Sequence, residues 1–101
     1  MNNPDLLKAI EPITKLFKVI GIQYLIGGSV ASSMLGLSRT TMDVDIVSII
    51  TTNKVSDLYE GLKDKYYIDK EMIFDAIEKR SSFNIIHIES MFKIDIFILK
   101  D

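Results

Sequence analysis

The sequence predicts an α/β fold, a small sheet with helices packed on it in a single domain spanning 1–101, and three observations carry that prediction. Apolar residues recur first at three- and four-residue steps, then in short strand-like runs, and the two patterns alternate along the chain. Glycines or capping residues stand where one pattern gives way to the next. Composition is ordinary for a folded domain, with 48% hydrophobic and 26% charged residues. A chain of 101 residues buries roughly 65% of its unfolded surface, which suffices for one core and leaves no room for a second catalytic or binding domain.

The elements follow in order. Asn3-Pro4-Asp5 joins a capping residue, a proline suited to the first helical position and an acid that complements a helix N-terminus, so a helix begins there. Leu6, Leu7, Ile10, Ile13, Leu16, Phe17 and Ile20 supply its apolar stripe, Pro12 kinks or divides it, and Gly21 stops it. Gln23 to Ile26 reads as a short buried strand, and Gly27-Gly28 turns the chain into a helix from Ser29 to Leu35 that Gly36 ends. Asp43 to Ile50 is the second strand, with Val44, Ile46 and Ile50 on one side and Ser48 as a polar exception among them. Thr51-Thr52-Asn53 supplies turn and cap chemistry for a helix reaching to about Lys63. Tyr66 to Ile68 is a brief strand or an extended link. Asp69 caps a helix running through Lys79, with Glu71 in its first turn. Ser82 to Ile88 and Phe92 to Leu99 alternate as a hairpin around Glu89-Ser90-Met91.

Several function classes are excluded on composition. There are no cysteines, hence no disulfides and no thiolate metal sites. Asp5 and Glu11 interrupt the start of the chain and no cleavage-like site follows, so no leader peptide is expected and a cytoplasmic setting is the default. Apolar runs stop well short of the ~20 residues that span a bilayer, so no membrane partner is expected. The net charge is −2 and the two arginines are Arg39 and Arg80, so the molecule as a whole does not advertise nucleic-acid binding. Lys8, Lys15 and Lys18 fall at helical spacing and read as a solvated helix face.

The stretch from Gly27 to Val47 carries the chemistry. On a strand, Asp43 and Asp45 point to the same side while Val44 and Ile46 point to the other. Like charges roughly 7 Å apart on one strand face are unfavourable unless solvent or a cation compensates them, and hard carboxylate oxygens suit Mg²⁺ or Mn²⁺. Phosphate chemistry is the natural use of such a site. Near the end of the chain, Asp95 stands between Ile94 and Ile96, a costly place for an acid without a ligand. No GxxxxGK[ST] string is present, so a P-loop is not supported.

A Gly-Gly-Ser turn opening a helix, a strand bearing Asp43-Val44-Asp45, and a later strand bearing Asp95 resemble the core motif of the nucleotidyltransferase superfamily. With Leu37-Ser38-Arg39-Thr40-Thr41 leading into the acidic strand, the string looks most like the AbiEii-type toxin group. The resemblance covers 22–101 and implies a polymerase beta-like mixed sheet with flanking helices. It implies that Asp43, Asp45 and Asp95 bind two divalent ions (Mg²⁺ or Mn²⁺) and that Asp95 helps to take the acceptor's hydroxyl proton. It also implies that Gly27, Gly28 and Ser29 hold the β- and γ-phosphates of an NTP. Arg39 suits bidentate pairing with a triphosphate, and the hydroxyls of Thr40 and Thr41 suit orienting an aspartate. The implied acceptor is a tRNA or a protein, and an antitoxin protein is the implied partner. Members of the resembled group generally continue into further helices, so the chain is expected to be a minimal or truncated version.

Other polar and aromatic residues are read as accessory. Lys93 is a basic neighbour of Asp95, His87 is structural because no second histidine or cysteine accompanies it, and Tyr59, Tyr66 and Tyr67 could stack on a base or line the core. Two functions therefore stand side by side. One is an enzyme that transfers a nucleoside monophosphate from an NTP to a hydroxyl, as the toxin of a toxin–antitoxin pair. The other is a nucleotide-binding regulatory or interaction module without turnover.

Overall fold

The computed structural model describes residues 4–27 and 43–99. Helix α1 (Pro4–Ile20) turns Leu6, Ala9, Ile10, Ile13 and Phe17 inward and leaves Lys8, Lys15 and Lys18 exposed. It is one helix, not divided at Pro12. An interior proline withdraws its N–H and crowds the carbonyl four residues back, and buried Ile10 and Ile13 on either side of it anchor the chain in the core. Gly21 closes the helix at φ 79°, and the Ile22 N–H reaches back to the Phe17 carbonyl at 2.8 Å, the bond of a Schellman closure. Lys54 Nζ donates to the Ile20 carbonyl at the same end.

Strands β1 (Gln23–Ile26) and β2 (Asp43–Ile49) come next, followed by a 3-10 turn (Thr52–Lys54), α2 (Val55–Leu62), β3 (Tyr66–Tyr67), α3 (Lys70–Lys79), β4 (Ser82–His87) and β5 (Lys93–Ile98). Among the described residues the sheet is five-stranded, in the order β1-β2-β5-β4-β3. β2 and β5 run parallel at its centre and the other three pairings are antiparallel, so the fold is mixed α/β. The expected helix from Ser29 to Leu35 lies outside the described residues.

Two sequence expectations are corrected. β1 is not buried: Gln23 is exposed, Leu25 is 71% exposed, and among the described residues the strand lies at the sheet edge with β2 as its one partner. A four-residue apolar run has too little period to tell an edge strand from an inner one. The turn before α2 has no side-chain cap. The Thr51 hydroxyl donates to Asn53 Oδ1 instead, and the turn closes through Lys54 N–H to the Thr51 carbonyl at 3.0 Å. By contrast Asp69 caps α3 as expected, accepting from the Glu71 N–H at 2.9 Å. That helix ends on Arg80 at φ 51°, with the Ser81 N–H bonded to the Ala76 carbonyl at 3.0 Å.

The helices and strands share one core cluster that includes Phe17, Ile46, Leu58, Leu62, Ile73, Ile85, Ile94 and Ile96. Gly61 lets α1 and α2 approach closely, since a Cβ there would lie 2.6 Å from Leu16 Cδ2. Polar groups inside are paired. Ser48 Oγ donates to the Phe97 carbonyl at 3.2 Å, and the Tyr66 hydroxyl donates to the Ala9 carbonyl at 2.5 Å. The His87 ring packs against Tyr66 with centroids 5.2 Å apart, and its Nδ1 lies 2.7 Å from Ser90 Oγ. Burial raises the Tyr66 phenol above its ordinary range and lowers the His87 imidazole below its own. No helix among the described residues is long and apolar enough to cross a membrane.

Candidate functional site

Strand alternation sorts β2 and β5 into two faces. Val44, Ile46, Ile94 and Ile96 are buried in the helix-packed core, whereas Asp45, Lys93 and Asp95 are part-buried on the opposite face. The parallel register of β2 and β5 sets Asp45 opposite Asp95 and Asp43 opposite Lys93. Directly paired residues of neighbouring strands point the same way, so Asp45 and Asp95 stand side by side on one face, their Cα atoms about 4.8 Å apart. Fifty positions of sequence separate them.

The row extends beyond β5. Asn84 of β4 is opposite Asp95, Ile86 is opposite Lys93, and Tyr67 of β3 is opposite Ile86. Asn84 and Tyr67 therefore share the open face with the carboxylates. Asn84 was not legible from the hairpin: counting outward from Glu89-Ser90-Met91 brings Ile85 opposite Asp95, whereas the turn closes with the His87 N–H on the Phe92 carbonyl at 2.9 Å, a one-residue shift that puts Asn84 there. The position of Tyr67 depends on a two-residue strand that carries no periodic signal.

On the other side of the carboxylate pair, Gly27 approaches Asp45 very closely. Its N–H donates to the Asp45 carbonyl at 2.7 Å. A Cβ at Gly27 would lie 2.9 Å from Asp45 Cβ and 3.1 Å from its carbonyl oxygen, so a side chain there would force a shift. With its N–H already engaged, Gly27 contributes the absence of a side chain above Asp45. Asp43 is the first residue of β2, and its side chain lies outside the described residues. The same is true of Gly28, Ser29, Arg39, Thr40 and Thr41 in their entirety.

Among the described residues, no group of three histidine, aspartate or glutamate side chains is arranged to hold a metal ion. The donor chemistry nevertheless suits Mg²⁺ or Mn²⁺: two adjacent carboxylates offer hard oxygens, with no sulfur or imidazole on that face of β2 or β5. No family model, curated protein or solved structure matches this chain.

Proposed function

We propose that this chain is a metal-dependent nucleotidyltransferase with a polymerase beta-like sheet, moving a nucleoside monophosphate from an NTP to a hydroxyl. The observation that carries the proposal is the side-by-side register of Asp45 and Asp95 on the open face, next to a glycine whose Cβ would crowd Asp45. Asp45 and Asp95, with Asp43, are the residues that would hold Mg²⁺ or Mn²⁺. When bound, such ions neutralise triphosphate charge and make a hydroxyl more acidic.

The chain's own residues supply the rest. Asp95 accepts the hydroxyl proton as the acceptor oxygen attacks the α-phosphorus. The bond to the bridging oxygen breaks, and pyrophosphate leaves with that electron pair. The bare backbone at Gly27 keeps the space over Asp45 open to phosphate oxygens. Positioning and charge compensation account for catalysis in this scheme, as in other phosphoryl transfers. The toxin role, the tRNA or protein acceptor and the antitoxin partner come from the sequence resemblance and belong to the same proposal.

Two measurements test it. Incubation with Mg²⁺ or Mn²⁺, each labelled NTP and tRNA or lysate as acceptor should give label transfer that Asp45→Asn and Asp95→Asn abolish. Nucleotide binding without transfer would instead identify a regulatory or interaction module. Divalent ions should also raise the melting temperature of the native chain but not of Asp45→Asn. Equal shifts in both would remove the metal site.

A further inference from the structure

Beyond the carboxylates the open face ends in an aromatic edge. Tyr67 is 58% exposed and Ile86 beside it is part-buried. Because β3 has only two residues, Ser82 to Ile85 of β4 have no neighbouring strand on that side among the described residues. A cleft of about 440 Å³ opens there, with Tyr59, Tyr67, Ile68, Met72, Asn84 and Ile86 among its walls. Its charged border is mixed: Lys63 on the lining is paired with Glu60 at 2.9 Å, Asp69 lines the same cleft, and Lys70 Nζ sits 5.2 Å from the Tyr59 ring centroid.

These groups match one kind of ligand. A nucleobase is a flat, largely apolar ring system with hydrogen-bonding edges, and proteins hold it with an exposed aromatic ring, an apolar floor and a side-chain amide. Tyr67, Ile86 and Asn84 present those three elements on a single face. Asn84, one wall of the cleft, is in direct register with Asp95. It lies on the β4 side of Asp95, whereas Gly27 lies on the β1 side of Asp45. Tyr67 stands two strands from β5, a lateral distance of about 10 Å.

We propose that the Tyr67–Ile86–Asn84 cleft is a nucleobase-binding subsite, placing a base on the acceptor side of the carboxylates. Its use in transfer rests on the transferase reading above, but base binding does not. The base belongs either to a free nucleotide or to the end of a single-stranded nucleic acid.

Fluorescence anisotropy of a labelled RNA trinucleotide in EDTA at low salt, with unlabelled AMP as competitor, tests the subsite. Tyr67→Ala should weaken trinucleotide binding at least about fivefold. Tyr67→Phe should stay within about twofold of the native chain, because the ring is retained. Asn84→Ala should fall between them. Displacement by AMP at matching concentrations supports the subsite and assigns it to a nucleotide. Binding of the trinucleotide without competition by AMP supports it and assigns it to a strand end. Binding of neither probe at millimolar concentration overturns the proposal, as does binding unchanged in Tyr67→Ala. An extended peptide that binds in a Tyr67-dependent way where both probes fail overturns it too, and makes the open β4 edge a strand-addition site.

The divalent-ion melting shift, measured on the same proteins, separates the two proposals. A retained shift with no base binding removes only the subsite. Tyr67-dependent base binding with no metal shift removes only the transferase reading.

Discussion

On the helix-covered face, β2 and β5 present Val44, Ile46, Ile94 and Ile96, each at most 1% exposed; on the other, Asp45, Lys93 and Asp95 are part-buried and Phe97 is 41% exposed. The same backbone hydrogen bonds support both sets. One face gains stability from apolar area withdrawn from water, while the other holds adjacent carboxylates that a core would exclude. Strand parity thus lets one sheet combine rigidity with chemistry. The open-face groups stay fixed because the residues between them are locked into the core.

That division predicts a graded series of responses. Ile94→Ala strikes the covered face directly and should cost about 2–5 kcal/mol in denaturant unfolding, through lost burial and the cavity left behind. Gly27→Ala should cost about 1–3 kcal/mol, since its methyl group meets Asp45 Cβ and backbone that cannot rotate away. It should also reduce the divalent-ion melting shift by displacing Asp45.

The third response depends on pH. Burial lowers the His87 imidazole below its ordinary value of 6.5, so the unfolded chain takes up a proton more readily than the folded one. The stability His87 contributes is therefore complete above pH 6.5 and is lost as pH falls through the lowered folded value. Melting curves across that window should show a smaller decline for His87→Gln than for the native chain. The smallest effect on stability is expected from Asp45→Asn without divalent ions, which should stay within about 0.5 kcal/mol because it preserves shape on the open face. A loss as large as that of Ile94→Ala would end the separation of the two faces.

Local physics made much of this fold legible. The Ser82–Ile88 and Phe92–Leu99 alternation yields the β4–β5 hairpin, Asp69 caps α3, and Gly21 closes α1. Each depends on residues within a few positions of one another. The exposure of β1, the sheet order and the central parallel pairing depend on distant segments, about which a short apolar run says nothing. Arg80 takes a left-handed conformation that glycine or asparagine would have advertised. For the site, alternation alone relates Asp43 to Asp45. The adjacency of Asp45 and Asp95 needs both the parallel direction and the register of β5, and neither is written in its sequence.

The central pairing of β2 with β5 has a kinetic consequence. Its partners are 50 positions apart, so the chain closes a long loop before the two carboxylates meet, and such distant closures slow folding. Ligand competence is thereby a late and global property: opening that detaches β5 disperses the acids at once, while fraying of α1 leaves them adjacent. Hydrogen exchange at the β5 amides would time the arrival and departure of the whole site.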